Sequence, residues 1–495
     1  MQVGFAWLDT QLDTAARQLM GLSSLDIISI GTRRYIIAAG EADGGLSSYE
    51  ILIDGSLVAA NDVVFGANTG TQNVRDINAF SIGGVAFIVP SGRYDDNLAV
   101  FRLDAAGAFT ATQTLTSTAT ARLTMTELVT VGANNYLFTT TASGGLDRYS
   151  IGATGTLTAP GHVADTPGVS LGDVSAMHSA NLKGHDFLFV ASAFDAGLTV
   201  FEVGAAGGLT TRFHLTPDMV GFNAISTIQT AQIAERAFVL VGSAETDTLL
   251  VLRVSAGGQL NLVDSLIDKS ETRFARISSL EVFDYQGRTF VLAAGSDDGL
   301  TLFELTYRGR LNLLGVVADQ FATTLNNISD IIVEIIGPKI LVFVASASEH
   351  GFTEFELTLN PGTTFYGGDS LDTITGSAGD DTIFGMGRND VLSGGAGDDR
   401  LVDGRGRDTL TGGSGADVFE FIQDGKRDFI TDFEHGIDRI DFTDYDALYS
   451  YLDLEILSRT DGAVIIIGTE KLLITSIDGL PIHAGSWVQT DFIFA

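Results

Sequence analysis

Six aspartates recur at an interval of nine residues between residues 367 and 420. Each is the sixth residue of a nine-residue unit, and the eighth residue of every unit is apolar. Carboxylate oxygens at a fixed interval can hold a hard cation such as Ca²⁺, which takes six to eight oxygen ligands. The aspartates are Asp372, Asp381, Asp390, Asp399, Asp408 and Asp417, and the apolar residues are Ile374, Ile383, Leu392, Leu401, Leu410 and Phe419.

The same units predict the elements that position these aspartates. The first six residues of a unit are glycine-rich and form a tight turn, because glycine adopts positive φ angles. The last three residues are centred on the apolar side chain and form a short strand. If two units make one turn of a flattened coil, aspartates two units apart are stacked, and their repulsion requires a cation between them. The expected stacked pairs are Asp372/Asp390, Asp381/Asp399, Asp390/Asp408 and Asp399/Asp417.

The repeated unit resembles the hemolysin-type (RTX) calcium-binding nonapeptide, whose pattern is G-G-x-G-x-D-x-U-x. The resemblance implies a parallel β-roll in which aspartate carboxylates and turn carbonyls hold calcium between stacked turns. The alternative is a flexible glycine- and aspartate-rich linker that binds no metal. A linker has no reason to keep an apolar eighth residue six times, so the roll is the favoured interpretation.

Departures from the repeat pattern rank the expected calcium sites. Other residues replace glycine at the first, second or fourth position of several units, namely at Asp403, Ser377, Met386, Ser370 and Arg388. The strongest sites are therefore expected on the column Asp381, Asp399 and Asp417, whose turns keep Gly379, Gly397 and Gly415. Weaker sites are expected on the column Asp372, Asp390 and Asp408.

A second, longer period occupies the first 360 residues. Seven apolar residues follow one another at intervals of 48 to 52 residues, each after a run rich in apolar and β-branched side chains. Eleven residues beyond each of the first six stands another apolar residue, preceded by a glycine or serine turn. The seven anchors are Leu46, Leu98, Leu146, Leu198, Leu249, Leu300 and Phe352, and the residues that follow are Leu57, Phe109, Leu157, Leu209, Leu260 and Leu311.

Four short strands per unit, repeated seven times, predict a seven-bladed β-propeller. A solenoid of stacked sheets is the less favoured alternative, because a closed ring hides the sheet edges. The seventh unit lacks a fourth strand before Pro361. We expect a segment around Val3 to Asp9 to supply that strand and so to close the ring.

The hairpins between the second and third strands of the units are acidic. Aspartate is a good turn former, which explains these residues without a function, and the alternative is a cation-lined rim or substrate mouth. His350 lies in the same set of loops and is expected to be incidental. The acidic residues are Glu41, Asp43, Asp95, Asp96, Asp195, Asp247, Asp297, Asp298 and Glu349.

Composition excludes several classes of function. The 495-residue chain carries a formal net charge of −34, which argues against binding to nucleic acid or to anionic membranes. No segment is long and apolar enough to span a membrane. The chain has no cysteine, which excludes disulfides, thiolate nucleophiles and cysteine-bound zinc.

The sequence does not decide whether the propeller is an enzyme. The segments VFRLDAAGAFT and VFEVGAAGGLT resemble the blades of lactonase-type propellers, but a shared fold does not imply a shared function. None of the seven histidines belongs to an HExxH motif, so the chain is not a zinc protease, and it has no GxSxG motif. A binding or adhesion module is the first interpretation, and a lactonase-like or phosphoesterase-like hydrolase is the alternative.

The segment after the repeats, DFITDFEHGIDRIDF from Asp428, resembles the part that caps the β-roll in serralysin-type proteases. Its acids are interpreted either as the solvated face of a strand or as further calcium ligands. Residues 463–467 and 472–474 are expected to form closing strands. The last residues, Asp491 to Ala495, resemble the acidic and apolar ending of serralysin-like secreted proteins.

We therefore expect an all-β protein with an N-terminal seven-bladed β-propeller and a C-terminal parallel β-roll. The predicted domains are residues 1–360 (propeller), 361–427 (calcium-binding roll) and 428–495 (cap and secretion signal). The N-terminus does not resemble a cleavable signal peptide. The resemblance implies export from a Gram-negative bacterium by type I secretion machinery, and an extracellular ligand of the propeller that the sequence does not name.

Overall fold

The structure is a computed structural model that describes residues 2–14, 17–42, 44–65, 73–92, 97–116, 125–141, 144–166, 168–360, 362–445 and 448–494. The chain divides into two compact units. One contains Val3–Phe283 and Thr289–Thr358, and the other contains Leu359–Ala495 with the short segments Met1–Gln2 and Asp284–Arg288. Within the described residues no helix has the length and apolar character needed to cross a membrane.

The first unit consists of seven four-stranded antiparallel sheets. Strand β1 is Gln2–Leu12, and the first three sheets contain β2 (Leu22–Ile30), β3 (Arg33–Gly40), β4 (Gly45–Ile51) and β5 (Leu57–Val64); β6 (Val74–Ile82), β7 (Val85–Gly92), β8 (Asn97–Leu103) and β9 (Phe109–Thr116); and β10 (Thr126–Val131), β11 (Asn134–Thr140), β12 (Leu146–Ile151) and β13 (Leu157–Val163). The fourth sheet contains β14 (Val174–Leu182), β15 (His185–Ser192), β16 (Gly197–Val203) and β17 (Leu209–Leu215), and the short helix α1 (Pro217–Val220) follows it.

The remaining sheets repeat the pattern. The fifth and sixth contain β18 (Ile225–Ile233), β19 (Arg236–Ser243), β20 (Thr248–Val254) and β21 (Leu260–Ile267); and β22 (Ser279–Tyr285), β23 (Arg288–Ala294), β24 (Gly299–Leu305) and β25 (Leu311–Ala318). The seventh contains β26 (Ile328–Ile336), β27 (Lys339–Ser346) and β28 (Gly351–Asn360). The predicted seven-bladed propeller is confirmed.

Strand β1 closes the ring. It pairs with β28, so that the order in the seventh sheet is β1-β28-β27-β26. The expected contribution of the N-terminal segment is therefore confirmed, and the strand extends to Leu12. The closure joins both ends of the propeller within one sheet and leaves no blade incomplete.

Apolar side chains fill the space between neighbouring blades. Each of the seven anchor residues is at most 1% exposed. One core cluster joins Leu25 and Ile36 of the first blade to Leu341 and Phe343 of the seventh. These residues are buried because each four-stranded sheet is apolar on both faces and packs against a sheet on either side.

The second unit is a coil of two parallel sheets. One sheet has the order β29-β31-β33-β35-β37-β41 and the other β30-β32-β34-β36-β40-β39-β38. The repeat strands are β29 (Thr364–Tyr366), β30 (Thr373–Thr375), β31 (Thr382–Phe384), β32 (Val391–Ala396), β33 (Arg400–Val402), β34 (Thr409–Ser414) and β35 (Val418–Glu420). The later elements are β36 (Arg427–Phe433), β37 (Arg439–Asp441), a 3-10 turn (Tyr451–Asp453), β38 (Glu455–Arg459), β39 (Gly462–Ile467), β40 (Glu470–Ser476), a 3-10 turn (Gln489–Asp491) and β41 (Phe492–Ile493).

Repeat strands pair in parallel with a register of eighteen residues. Ile374 stands opposite Leu392, and Leu392 stands opposite Leu410. The eighth residues of the last five units are completely buried in one core cluster. The coil with two units per turn is therefore confirmed, and it stacks the aspartates as expected.

The strands after the repeats continue the same two sheets. The expected closing strands are present as β39 and β40, and β40 pairs in parallel with β36. At the other sheet, β41 pairs in parallel with β37. Repeats and cap thus share both sheets, and a domain boundary between residues 427 and 428 stays a prediction.

Candidate calcium centre

The stacked aspartates form two ladders of hydrogen bonds. In each stacked pair, the backbone N–H of one aspartate donates to the side-chain Oδ1 of the aspartate eighteen residues later. This contact fixes one oxygen of each accepting carboxylate against the preceding turn. The distances are 2.8 Å from Asp372 N to Asp390, 2.8 Å from Asp381 N to Asp399, 2.6 Å from Asp390 N to Asp408 and 2.9 Å from Asp399 N to Asp417.

Two aspartates outside the repeats extend these ladders into the cap. The N–H of Asp408 donates to Asp428 Oδ1 at 2.9 Å, and the N–H of Asp417 donates to Asp438 Oδ1 at 3.0 Å. Their separations of 20 and 21 residues break the period of nine, so the sequence period did not assign them a place on the ladders. The sequence signal for these two positions is an aspartate beside an apolar residue, as in Asp428-Phe429 and Ile437-Asp438.

The second carboxylate oxygen has no hydrogen-bond partner in four of these aspartates. The Oδ2 atoms of Asp390, Asp399, Asp408 and Asp417 are buried without one, and the four residues are at most 1% exposed. Burial, together with the charges of neighbouring aspartates, raises the pKa of Asp399 to about 6 and of Asp408 and Asp417 to about 7. A buried carboxylate in this situation needs a positive partner.

Backbone oxygens converge on the same places. A methyl group on Gly394 would lie 2.6 Å from the carbonyl oxygen of Gly412 and would clash with Asp399 Oδ2. Glycine therefore leaves open a space that is faced by a carboxylate oxygen and a carbonyl oxygen. These are the ligands that Ca²⁺ takes, so the residues fit the ion.

The glycines that were expected to favour strong sites differ in conformation. Gly397 and Gly415 have φ angles of 114° and 137°, whereas Gly379 has no positive φ. Met386 and Arg388 have φ angles of 72° and 80° in the third unit. Left-handed backbone costs a side chain about 1–2 kcal/mol, so this turn is strained at two positions where the fourth, fifth and sixth units carry glycine.

Both carboxylate oxygens of the first two aspartates find hydrogen-bond partners. Asp372 Oδ2 accepts from Gly368 N at 2.7 Å, and Oδ1 accepts from Ser370 Oγ at 3.2 Å. Asp381 accepts hydrogen bonds from the backbone N–H groups of Thr363 and Ser377. The unpartnered oxygens therefore begin with Asp390, and they occur in both columns. The ranking of one column above the other stays a prediction.

The innermost strands of the propeller carry a different set of polar side chains. The first strands of the first five blades contact one another in sequence, and the first strand of the seventh blade contacts that of the first. Five acids, one histidine and one glutamine lie on the first strands of the seven blades and are half-buried: Asp26, Asp76, Glu127, His178, Gln229, Glu281 and Asp330.

Each of these side chains reaches the innermost strand of the following blade. We call this set the inner clasp. Its hydrogen bonds run from Ala79 N to Asp26 Oδ2 (2.7 Å), from Thr126 N to Asp76 Oδ2 (3.0 Å), from Ser179 N to Glu127 Oε1 (2.7 Å), between His178 Nε2 and Thr230 Oγ1 (3.0 Å), from Gln229 Nε2 to Leu280 O (3.1 Å) and from Leu25 N to Asp330 Oδ2 (2.8 Å), and Glu281 accepts from the backbone N–H of Val333.

The acids of the inner clasp also have raised pKa values. Burial raises the pKa of Asp26 and Asp76 to about 7, and of Glu127 and Glu281 to about 8. No oxygen of the five acids is buried without a hydrogen-bond partner. The inner clasp therefore fastens neighbouring blades to one another.

Side chains of the acidic hairpins accept hydrogen bonds from backbone N–H groups in the loops that precede the first strands of blades. Asp195 accepts from Gly172 N at 2.8 Å, Asp247 from Arg276 N at 2.6 Å, and Glu349 from Asn326 N at 3.0 Å. His350 Nδ1 accepts from Gly21 N at 3.0 Å. These contacts agree with a role in turns. Of the same set, Asp43, Asp95 and Asp96 lie outside the described residues.

One serine and one histidine of the propeller stand in the arrangement of a nucleophile and its base. Ser170 Oγ lies 2.8 Å from His214 Nε2. Ser170 is only 1% exposed, however, and a methyl group on the adjacent Gly197 would clash with it. The serine is therefore enclosed, and its contact with the half-buried His214 fastens a loop to strand β17.

Comparison with known proteins supports the assignment of the repeats. Residues 363–392 and 384–419 match the model of the RTX calcium-binding nonapeptide repeat (four copies). These repeats are typical of secreted proteins and bind calcium, so the chain contains a calcium-binding β-roll. No curated protein matches the chain significantly.

Solved structures match the chain only at low sequence identity and with TM-scores below 0.5. A protein from Lactobacillus plantarum has 16% identity and a TM-score of 0.45, with 60% of this chain and 83% of that chain covered. BBS1N in complex with ARL6DN has 13% identity and a TM-score of 0.46, with 72% and 97% covered. A functionally unknown protein from Desulfotomaculum acetoxidans has 12% identity and a TM-score of 0.44, with 63% and 92% covered.

Proposed function

We propose that this is a secreted protein whose β-roll folds when it binds calcium outside the cell, and whose propeller binds an extracellular ligand. The observation that carries the proposal is the set of four buried Oδ2 atoms without a hydrogen-bond partner, at Asp390, Asp399, Asp408 and Asp417. Stacked turns that leave such oxygens facing one another are poorly stable without a cation.

The aspartates of the two ladders would hold the ion together with turn carbonyls such as Gly412 O. Calcium supplies positive charge that offsets the repulsion between the stacked carboxylates. Because an ion that binds only the folded state stabilises that state by mass action, the roll gains stability as calcium rises. Extracellular calcium modules have dissociation constants of about 10⁻⁴ to 10⁻³ M. A cell interior poor in calcium would keep the roll unfolded and ready for export.

Hydrogen exchange of the full chain tests this function. Amides of residues 363–442 should exchange rapidly in a calcium chelator and become protected in millimolar calcium, with propeller amides unchanged. Magnesium at the same concentration is the control, because it demands near-octahedral geometry and keeps its waters. Equal protection of the roll with and without calcium would contradict the proposal.

Export is the second part of the proposal. Residues Asp491–Phe494 at the end of the roll resemble a type I secretion signal, and β41 within them pairs with β37. Export of the full chain from a Gram-negative host that carries a type I system should be lost when residues 484–495 are deleted. Intracellular amounts of both forms provide the control. Undiminished export of the shortened chain would rule out this signal.

The propeller is proposed as a binding or adhesion module. The carboxylates of the inner clasp are hydrogen-bonded to the neighbouring blade, and the hydroxyl of Ser170 in the Ser170–His214 pair is buried, so neither supplies an accessible nucleophile. Assays with lactone and phosphoester substrates test the alternative. Turnover that persists in the Ser170→Ala protein and disappears in the Glu127→Gln protein would favour a hydrolase working from the channel.

A further inference from the structure

One turn of the roll carries a carboxylate where the other five turns carry glycine. The first position of the repeat is occupied by Gly367, Gly376, Gly385, Gly394 and Gly412, and by Asp403 in the fifth unit. In the other turns a side chain at this position would point at the carboxylate of the sixth position, as between Gly394 and Asp399. Asp403 therefore directs its side chain towards Asp408.

The cap brings a third carboxylate to the same place. Asp403, Asp408 and Asp428 are 1%, 0% and 7% exposed. One ligand oxygen from each residue lies within 4.8 Å of the others. Three carboxylates are thus gathered in a volume that one ion can bridge, whereas a stacked pair elsewhere on the ladders contributes two.

Hydrogen bonds to the backbone satisfy only part of this cluster. Asp403 Oδ1 accepts from Gly404 N and Ile422 N, and Asp428 Oδ1 accepts from Asp408 N. Asp408 Oδ1 accepts from Asp390 N, and its Oδ2 is buried without a partner. This unpartnered oxygen, on a completely buried residue, is the independent sign that a cation belongs here.

The surroundings add further negative charge. Glu470 is 7% exposed and has one oxygen, Oε2, that is buried without a hydrogen-bond partner. Its charge acts on Asp428, while the nearby guanidinium of Arg407 acts in the opposite direction. Burial and the charges of its neighbours raise the pKa of Asp428 to about 7.

We propose that Asp403, Asp408 and Asp428 form a three-carboxylate calcium site that binds more tightly than the other turns of the roll. The inference rests on the proposed function, because it assumes that the stacked turns bind calcium. Affinity of oxygen sites for calcium rises with the number of charged ligands and with rigidity, and this site has both. Glycine content alone would have placed it in the weaker column.

Calcium binding to the full chain, measured by isothermal titration, tests the site. The wild type should show one tight class of site ahead of the remaining sites. Asp403→Asn keeps the acceptor for Gly404 and Ile422, and Asp403→Gly restores the residue of the other turns. Both should weaken the tight class by about tenfold or more, since one of three charges is lost.

The matched control is Asp398→Asn. Asp398 is an exposed carboxylate in the neighbouring turn whose Oδ1 accepts from Ala416 N, a contact that an amide keeps. It should leave the tight class unchanged. A tight class that survives in both Asp403 variants would overturn the proposal while leaving calcium binding intact. Absence of calcium binding in the wild type would instead contradict the proposed function.

Terbium luminescence locates the tight site independently. Tyr445 is buried, and its hydroxyl donates to the carbonyl oxygen of Ile422, whose N–H donates to Asp403, so it lies close enough to sensitise a bound lanthanide. The first equivalent of terbium should give emission that Tyr445→Phe abolishes and Asp403→Asn shifts to higher concentration. First-equivalent emission that is indifferent to both variants would place the tight site elsewhere.

Discussion

Asp26 in the propeller and Asp399 in the roll are carboxylates set into β-structure, and they differ in what faces their two oxygens. Both oxygens of Asp26 accept hydrogen bonds at 2.7 Å, from Ile27 N and Ala79 N. Asp399 accepts one from Asp381 N, and its Oδ2 has no partner. Burial raises the pKa of both, but only Asp26 has both of its oxygens satisfied by backbone N–H groups.

The comparison extends to the two units as wholes. The inner clasp binds each blade to the next, so the propeller supplies its own partners and needs no ion at these positions. The ladders bind each turn to the next through one oxygen and leave the other to a cation. We infer that buried carboxylates leave the propeller independent of calcium, whereas they make the roll dependent on it.

A substitution of Arg400 tests whether the guanidinium of an arginine can serve two buried carboxylates of the roll in place of calcium. Its Nε donates to Glu420 Oε2 at 2.8 Å, and its guanidinium also pairs with Asp441. Both carboxylates are 2% exposed. Arg400→Gln should lower the free energy of unfolding of the calcium-loaded roll by about 3–5 kcal/mol, because two buried charges lose their partner.

Calorimetry in saturating calcium measures this effect. Arg405→Gln, at an exposed arginine of the next turn, is the control and should leave the transition of the roll unchanged. The transition of the propeller should not move in either variant. An equal shift for both arginines would mean that the buried pairs contribute no more than general charge balance.

Removing ladder carboxylates compares turns with and without unpartnered oxygens. Asp399→Ala together with Asp417→Ala should raise the calcium concentration at the midpoint of folding by about tenfold or more, which corresponds to a loss of about 1.4 kcal/mol or more in binding free energy. Asp372→Ala should have a much smaller effect, because that side chain is satisfied within its own turn. Circular dichroism during calcium titration gives the midpoints. Equal shifts would refute the expectation that Asp399 and Asp417 matter more for calcium binding than Asp372.

Closure of the ring by β1 should stabilise the propeller, as calcium binding should stabilise the roll. Deleting residues 1 to 10 removes most of β1 and exposes the edge of β28. The melting temperature of the propeller should fall by several degrees, with no change in the calcium midpoint of the roll. Trp7→Ser, at a half-exposed residue of the same strand, keeps the backbone pairing and should have little effect. An unchanged melting temperature after the deletion would refute the closure.

The inner clasp should make the propeller sensitive to pH. Burial, with a contribution from the charge of Asp330, raises the pKa of Asp76 from 3.8 to about 7 in the folded state, and Arg75 acts in the opposite direction. For an acid with a raised folded pKa, stability is fully present below pH 4 and is lost as pH rises through 7. One pKa unit corresponds to about 1.4 kcal/mol.

Asp76→Asn keeps the acceptor for Thr126 N and removes the charge. At pH 8 this variant should be more stable than the wild type by up to about 4 kcal/mol, since the pKa is raised by about three units, and at pH 4 the two should be alike. Asp218→Asn, at an exposed residue, should not change the pH profile. Thermal unfolding of the propeller between pH 4 and pH 8 decides the matter, and parallel profiles for all three proteins would contradict the prediction.

Periodicity made most of the fold predictable. An aspartate and an apolar residue at fixed places in a nine-residue unit define the eighteen-residue register, since two units complete one coil. The anchors at about fifty-residue intervals define the blades, because every blade buries the same strand. These features follow from repeated local chemistry, which the sequence displays directly.

The remaining features depend on contacts that break the period. Asp428 and Asp438 continue the ladders after insertions, so counting by nine misses them. In the sequence, Asp403 is only a departure from the glycine of the repeat. Its role depends on the cap, which brings Asp428 next to Asp403 and Asp408. The inner clasp uses aspartate, glutamate, histidine and glutamine, and Asp76 and Asp330 stand two residues earlier on their strands than the others. No single residue type marks these positions along the chain.

The pairing of β1 with β28 also sets an order of events during synthesis. Strand β1 must wait for a partner some 340 residues later in the chain, so the ring closes only when nearly all of the propeller has been made. Such a non-local contact slows folding, because a long loop must be closed before the contact forms. At the other end, β41 adds the last strand to its sheet after β37. Each unit is therefore completed by one of its own terminal strands, and an arrested chain would display an open sheet edge.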